Sequence, residues 1–254
     1  MFVPLEKYRD QDWSEWTLIF PVVSIGNAAQ LAVDVLCSSL EAELVGYIHS
    51  SSLLPLVGGN PYADSDPRLA TACQLYACPS RKVLIIQQRT PVSPSCRGEY
   101  SSQLTKWMKE MKFRLVVMLA SCLSQFRSPE DLKGGALHYL CGDAVDDKTR
   151  AEVEAQGWRL FEKQDPLTKC PCPEGGVFLM PGAGMARPIW DKCQKPNNVS
   201  AVMMLLYCSE GDNTPDALLL ANSLNLWLRL AEKGWRTPMS WSHLFGQSPP
   251  KGIY

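Results

Sequence analysis

A chain of 254 residues with 46% hydrophobic content can bury a full core, and its length suits one large α/β domain at least as well as two small ones. Twenty-five Lys and Arg against 26 Asp and Glu give a formal net charge of −1, which argues against general nucleic-acid affinity. No apolar run approaches the roughly 18 residues of a membrane helix, and the opening MFVPLEKYRDQDW lacks the basic flank and apolar core of a secretory signal. A soluble, intracellular chain is therefore expected. The ten Cys are scattered, and Cys37, Cys122 and Cys208 lie inside apolar runs, as reduced core thiols do.

The first apolar run, Thr17 to Val23, reads as a strand, with Pro21 marking a bend or an edge position. Asn27 stands where a cap belongs. A helix follows to about Leu40, with Ala28, Leu31, Ala32, Val35, Leu36 and Leu40 on one face. The runs Leu44 to His49, Cys73 to Cys78, Val83 to Gln88 and Leu115 to Ala120 read as further strands. Between the last two, residues 99–112 form an amphipathic helix: Tyr100, Leu104, Trp107, Met108 and Met111 make the apolar stripe, leaving Lys106, Lys109 and Lys112 outward. Residues 1–80 hold nine acids and three bases, whereas residues 81–114 hold eight bases and two acids. That local excess can steer an acidic partner, but aromatics are not interleaved with the bases as a nucleic-acid stacking surface requires.

The polar stretches 91–97 and 164–176 read as loops. Cys170 and Cys172 are too close for a zinc knuckle and have no second ligand pair nearby, so no metal site is expected. Asn198-Val199-Ser200 is a glycosylation acceptor only in a secreted protein. After the run Val177 to Met180, the turn Pro181-Gly182-Ala183-Gly184 precedes a helix and could present backbone N–H groups to a phosphate. A dinucleotide fingerprint wants a third glycine where Arg187 stands. Tight-turn geometry explains these glycines more simply, and Gly58 and Gly59 likewise.

The run Ala201 to Cys208 is nearly all apolar, as a strand covered on both faces of a parallel sheet is. In the following SEGDNTPDA, Thr214 is expected to cap a helix with its hydroxyl, Pro215 to take the first helical position and Asp216 to oppose the positive helix end. The helix continues through Leu218, Leu224, Trp227 and Leu230. Glu210 and Asp212 remain: as a general acid/base pair they need a nucleophile or an electrophile, and the surrounding sequence offers neither. His49, His138 and His243 are each isolated from any triad pattern. The alternation of strands and helices predicts a mainly parallel or mixed sheet with helices on both faces.

Four segments, PVVSIGNAAQLAVD (21–34), LVGGNPYA (56–63), PSRK (79–82) and SEGDNTPDAL (209–218), together with the closing PMSWSHLFG (238–246), resemble the proteasome assembly chaperone 2 family over essentially the whole chain. The resemblance implies a three-layer α/β/α sandwich of phosphorylase/hydrolase-like type, a chaperone domain over residues 1–246 and a projecting tail over 247–254. It implies a non-catalytic protein without cofactor, in the cytoplasm and nucleus. Its implied partners are proteasome assembly chaperone 1, with which it forms a heterodimer, and the proteasome α-subunits, whose ring closure it assists while blocking improper ring dimers. No nucleic acid or membrane is implied.

On this reading Asn60, Pro61, Tyr62, Glu210 and Asp212 are turn formers or partner-facing groups. Pro249 and Pro250 stiffen the tail. Family members end in a hydrophobic–tyrosine–any-residue motif whose carboxylate meets a lysine between α-subunits; Gly252, Ile253 and Tyr254 supply hydrophobic–tyrosine with no residue after it. The alternative is a small-molecule hydrolase or phosphorylase on the same sandwich, using Glu210, Asp212 and the turn at Gly182–Gly184 on a phosphate-bearing substrate. It needs a converging polar pocket, where a chaperone needs a broad apolar patch.

Overall fold

The computed structural model describes residues 1–243, apart from 64–65, 129–130, 169–170, 173 and 195–197. The tail residues Gly252, Ile253 and Tyr254 lie outside them. In chain order the elements are β1 (Phe2–Pro4), β2 (Thr17–Pro21), α1 (Ala28–Ser39), β3 (Glu43–Ile48), β4 (Val57–Gly58), β5 (Ala70–Thr71), β6 (Cys73–Cys78), β7 (Val83–Gln88), α2 (Arg97–Met111) and β8 (Leu115–Leu123). Then come β9 (Leu137–Cys141), α3 (Asp147–Glu154), β10 (Arg159–Leu160), α4 (Ala186–Cys193), β11 (Ala201–Cys208) and α5 (Thr214–Leu228).

Nine strands make one mixed sheet in the order β1-β3-β6-β7-β2-β8-β11-β9-β10. Its centre, β7-β2-β8-β11, is parallel; β3 and β6 join it through antiparallel pairings, and β9 lies antiparallel to β11. β4 and β5 form a separate two-stranded ribbon. The central strands read as unbroken apolar runs because both of their faces are covered. Val116, Met118, Ala120 and Cys122 of β8 and Met203, Leu205 and Tyr207 of β11 meet Tyr100, Leu104 and Trp107 of α2 and Ile189 and Trp190 of α4. The intervening Val117, Leu119, Val202, Met204 and Leu206 meet α1, α5 and Val153 of α3. The result is the α/β/α sandwich.

Local details depart from the expectations of the sequence. Pro21 lies in a central strand, not at an edge; it pairs with Leu119 of β8, while β7 pairs with β2 only from Thr17 to Ile19, so the missing N–H falls where one ladder has ended. Asn27 does not cap α1 through its side chain: it takes φ 52°, just after Gly26 at φ 67°. A Cβ on Gly26 would sit 2.5 Å from Asn213 Oδ1, so the glycine lets the approach to α1 pass under the start of α5. The elements β1, β9, β10 and α3 are not apparent from periodicity, since they are short and α3 buries only Thr149 and Val153.

Leu220 of α5 is fully buried against the sheet. Leu220→Ala should cost about 2–5 kcal/mol through lost burial plus a cavity, read as a lowered midpoint in urea denaturation with an unchanged m-value.

Candidate functional site

In α/β sheets the carboxyl ends of parallel strands are where ligands bind, so the ends of β2, β8 and β11 come first. Here those ends are bonded to one another. The Ser121 N–H donates to Ser24 Oγ at 3.0 Å and the Ser121 hydroxyl to the Ile25 carbonyl at 2.5 Å. The Pro181–Gly184 turn closes over them: the Ile25 N–H donates to the Gly182 oxygen and the Leu123 N–H to the Pro181 oxygen, each at 2.9 Å. Gly184 has φ 57°, and a Cβ there would lie 2.1 Å from the Val23 carbonyl oxygen. Positive φ and close backbone approach account for the glycines. The turn is a plug on the sheet end.

Glu210 and Asp212 are exposed on the loop between β11 and α5. Asp212 acts structurally, because its Oδ1 accepts the Thr214 N–H at 2.9 Å and so meets a donor that the helix itself leaves unpaired. This corrects the expected capping. Asp212 supplies the acceptor in place of the Thr214 hydroxyl, α5 begins at Thr214, and Pro215 takes the second position. Asp216 accepts from Asn213 Nδ2 at 2.9 Å, and the same amide donates to the Ser209 oxygen. These polar groups shape a turn.

The Asn60-Pro61-Tyr62 loop leads to a buried polar cluster. Pro61 is buried and Tyr62 half-buried. The Tyr62 hydroxyl donates to Asp34 Oδ1 at 2.6 Å, Gln87 Nε2 to the same oxygen at 2.7 Å and Arg89 Nη2 at 2.9 Å. Tyr62 stacks edge-on against Tyr76, with ring centroids 5.4 Å apart. Burial pushes the neighbouring Cys37 thiol up to about 12, so it is no nucleophile at neutral pH. Asn60 turns the loop: its Oδ1 accepts the Tyr62 N–H and its Nδ2 donates to Asp66. The polar groups thus point inward, while Leu54, Leu56, Val57 and Leu69 around them are exposed. A cavity of about 290 Å³ lies beside the loop, lined in part by Tyr62, Tyr76, Arg68 and Arg236.

Sequence reasoning alone misses Asp34 and Arg89. Their one signal is Asp34 itself, the sole charged residue in the twelve of α1; an acid on an otherwise apolar helix is buried with a partner. Asp34→Ala should destabilise the chain by about 3–5 kcal/mol, because it leaves the Arg89 guanidinium buried and unpaired. Denaturation of Asp34→Ala beside Asp34→Leu/Arg89→Met checks the cause, since removing both charges should recover much of the loss.

The segment after α5 is tied to this same side. Asn225 holds Ala231 in both directions, its Oδ1 accepting the Ala231 N–H and its Nδ2 donating to the Ala231 oxygen. The Arg236 guanidinium donates to the Ser38 carbonyl at the end of α1 and pairs with Glu41. The Ser240 N–H then donates to the Pro61 oxygen at 3.2 Å. Residues 231–243 thus form a strap that runs from the end of α5 to the Tyr62 loop.

His138 is the buried histidine. Its Nε2 lies 3.1 Å from Asp131 Oδ1 and its Nδ1 faces the Ala136 carbonyl at 3.4 Å. Both nitrogens are occupied and neither faces a nucleophile. Arg159 Nε lies 3.6 Å from the same Asp131 oxygen, and the Tyr207 ring stands edge-on at 5.1 Å. Burial lowers the imidazole below 6.5, outweighing the opposing pull of Asp131. The unfolded chain therefore binds this proton more readily, and stability falls as pH drops through that region. Burial raises the Asp131 carboxyl, but its bonds to Ser128 outweigh this and hold it below 3.8, a separate and more acid window. Between about pH 7.5 and 5.5, His138→Gln should flatten the pH dependence of the melting temperature.

Against known proteins, residues 18–220 match the model of the PAC2 family. The chain belongs to the PAC2 family. The proteasome assembly chaperone 2 of Danio rerio is 36% identical over 94% of this chain and 95% of that protein. Those of Xenopus tropicalis and Homo sapiens are 34% and 30% identical over the full length of both chains. Among solved structures, Pyrococcus furiosus PbaA, an archaeal homologue of proteasome-assembly chaperone, aligns with TM-score 0.62 at 13% identity, covering 87% of this chain and 84% of that one. PbaB of the same organism, an archaeal proteasome activator, aligns with TM-score 0.61 at 15% identity, covering 92% and 90%. At such identities the likeness is one of fold. The PAC2-family match spans β2 to the middle of α5, so it includes Asp34, Tyr62, Arg89, Glu210 and Asp212 and stops short of the strap.

Proposed function

We propose that the chain is a non-catalytic chaperone for assembly of the proteasome core particle. It pairs with proteasome assembly chaperone 1, binds α-subunits, promotes closure of the α-ring and prevents off-pathway ring dimers, in the cytoplasm and nucleus. The observation that carries this reading is full-length similarity, at 30–36% identity, to proteins named proteasome assembly chaperone 2. The site geometry supports it: the glycine turn packs on strand ends, Asp212 caps α5, and Glu210 is exposed, so these groups do not converge on a substrate. Exposed apolar side chains instead stand around the Tyr62 loop, as a binding surface requires. A hydrolase or phosphorylase activity of the pure protein that vanishes in Asp212→Asn would overturn the non-catalytic reading.

The tail of Gly252, Ile253 and Tyr254 is proposed as an anchor on the α-ring. A carboxylate paired with a lysine in a partly desolvated pocket makes a charge-assisted bond worth roughly 1.5–3 kcal/mol. Deleting Gly252–Tyr254 should therefore weaken binding to α-subunits by about 10- to 100-fold without disturbing the heterodimer. A C-terminally amidated chain, which keeps both side chains and loses the charge, should show most of that loss. Equal affinities for the intact, truncated and amidated chains, measured on the co-purified heterodimer, would remove the tail from the mechanism.

A further inference from the structure

Eleven large apolar side chains are exposed among the described residues, and four of them, Leu54, Leu56, Val57 and Leu69, fall on the β4–β5 ribbon and its approaches. Val57 is 69% exposed. Around a Cβ placed on Gly58 or Gly59 there is nothing within 4 Å. Among the described residues β4 is bonded to β5 alone, so its other edge offers free backbone groups. The base of the ribbon is firmly held: Leu54 N–H donates to the Pro91 oxygen, Thr90 Oγ1 to the Leu54 oxygen, and Tyr62 is fastened to Asp34. An apolar ribbon fixed at its base and bare at its tip is built to meet another surface.

Where the chain leaves the described structure says which surface. The strap meets the ribbon's own loop through the bond from Ser240 N–H to the Pro61 oxygen. Val57 is four residues from Pro61, so their Cα atoms lie within about 15 Å of each other. Beyond His243 the sequence continues for eleven residues to Tyr254, a reach of up to about 40 Å. A partner that receives this tail is therefore brought up to the ribbon. Charge narrows the match. Residues 41–69 hold four acids and one base, and Arg68 and Arg236 beside the ribbon are each paired with an acid. The opposite layer presents Lys106, Lys109 and Lys112 on and just after α2. The fitting occupant is thus apolar with a basic rim.

We infer that Leu54, Leu56, Val57 and Leu69 form a second contact with the α-subunits, adjacent to the root of the tail and acting with it on one partner surface. This rests on the chaperone reading above. Two linked contacts on one partner multiply through effective concentration, so the ribbon supplies binding that a shortened tail motif leaves to be made up.

The test uses the heterodimer co-expressed with proteasome assembly chaperone 1 and purified α-subunits. Val57→Glu/Leu69→Glu should weaken α-subunit binding at least tenfold with the heterodimer and its melting temperature unchanged. Lys109→Glu, which makes the same change in net charge on the opposite layer, should stay within twofold. Val57→Ser/Leu69→Ser, adding no charge, should give a smaller loss in the same direction and guards against a folding defect. Combined with deletion of Gly252–Tyr254, the ribbon variants should lose affinity by at least the product of the separate effects. Unchanged affinity in the Glu and Ser variants overturns the inference alone. Loss of the heterodimer, with α-subunit binding kept, also overturns it and assigns the ribbon to the other partner. If the unsubstituted heterodimer does not bind α-subunits, the chaperone reading falls and this inference with it.

Discussion

Backbone amides and carbonyls in the middle of a sheet must be paired before apolar layers can close over them, and the ladder β7-β2-β8-β11 meets that constraint here. β8 and β11 are paired in register over eight residues, from Val116 opposite Ala201 to Leu123 opposite Cys208. With those groups satisfied, side chains on both faces are free to be apolar, and almost all are. Each face then needs a cover. The layer of α2 and α4 and the layer of α1, α3 and α5 are that cover, and their places follow from which residues of β8 and β11 point each way.

The same closure explains why the carboxyl ends of the strands do not form a cleft. Ser24, Ser121 and the Pro181–Gly184 turn use their hydrogen-bonding groups on one another. A fold that hosts enzymes elsewhere is sealed here at the place where it commonly opens. What remains for interaction is the rim, where the sheet runs out of helices to cover it. Over β3 and β6 the cover comes from the Tyr62 loop, which contributes Tyr62 against Tyr76 and Leu44. A loop in that position can bury its inner side and keep an apolar outer one.

Holding such a loop in place requires a strong internal tie. Asp34 receives Tyr62, Gln87 and Arg89 on a single oxygen, linking α1, the end of β7 and the loop between β4 and β5. A buried charged pair contributes little net stability against apolar replacements; its value is in fixing geometry. The strap adds a second tie, since Arg236 fastens it to the end of α1 and Ser240 to Pro61. Loop, helix and strap form one unit from which the C-terminal residues continue.

Much of this was legible in the residues. Continuous apolar runs such as Ala201–Cys208 announced strands buried on both faces, and the stripe of Tyr100, Leu104, Trp107 and Met108 announced α2, because burial imposes a period that one chain segment carries by itself. Family membership was also legible, in strings such as SEGDNTPDAL. Short or polar elements escaped: β9 and α3 exist because longer strands give them something to pair with or lie on. The pairing of Asp34 with Arg89 and Tyr62, across 55 and 28 residues, has no period to reveal it. Nor does the capping by Asp212 in place of Thr214, which turned on where the first helical N–H came to rest. Sequence by itself determined which residues had to be buried and in what rhythm, since hydrophobicity is a property of each side chain. Only the tertiary structure decided which polar groups met, and so which loops faced inward and which offered their apolar side to a partner, because those partners are set by distances in space that the order of residues does not state.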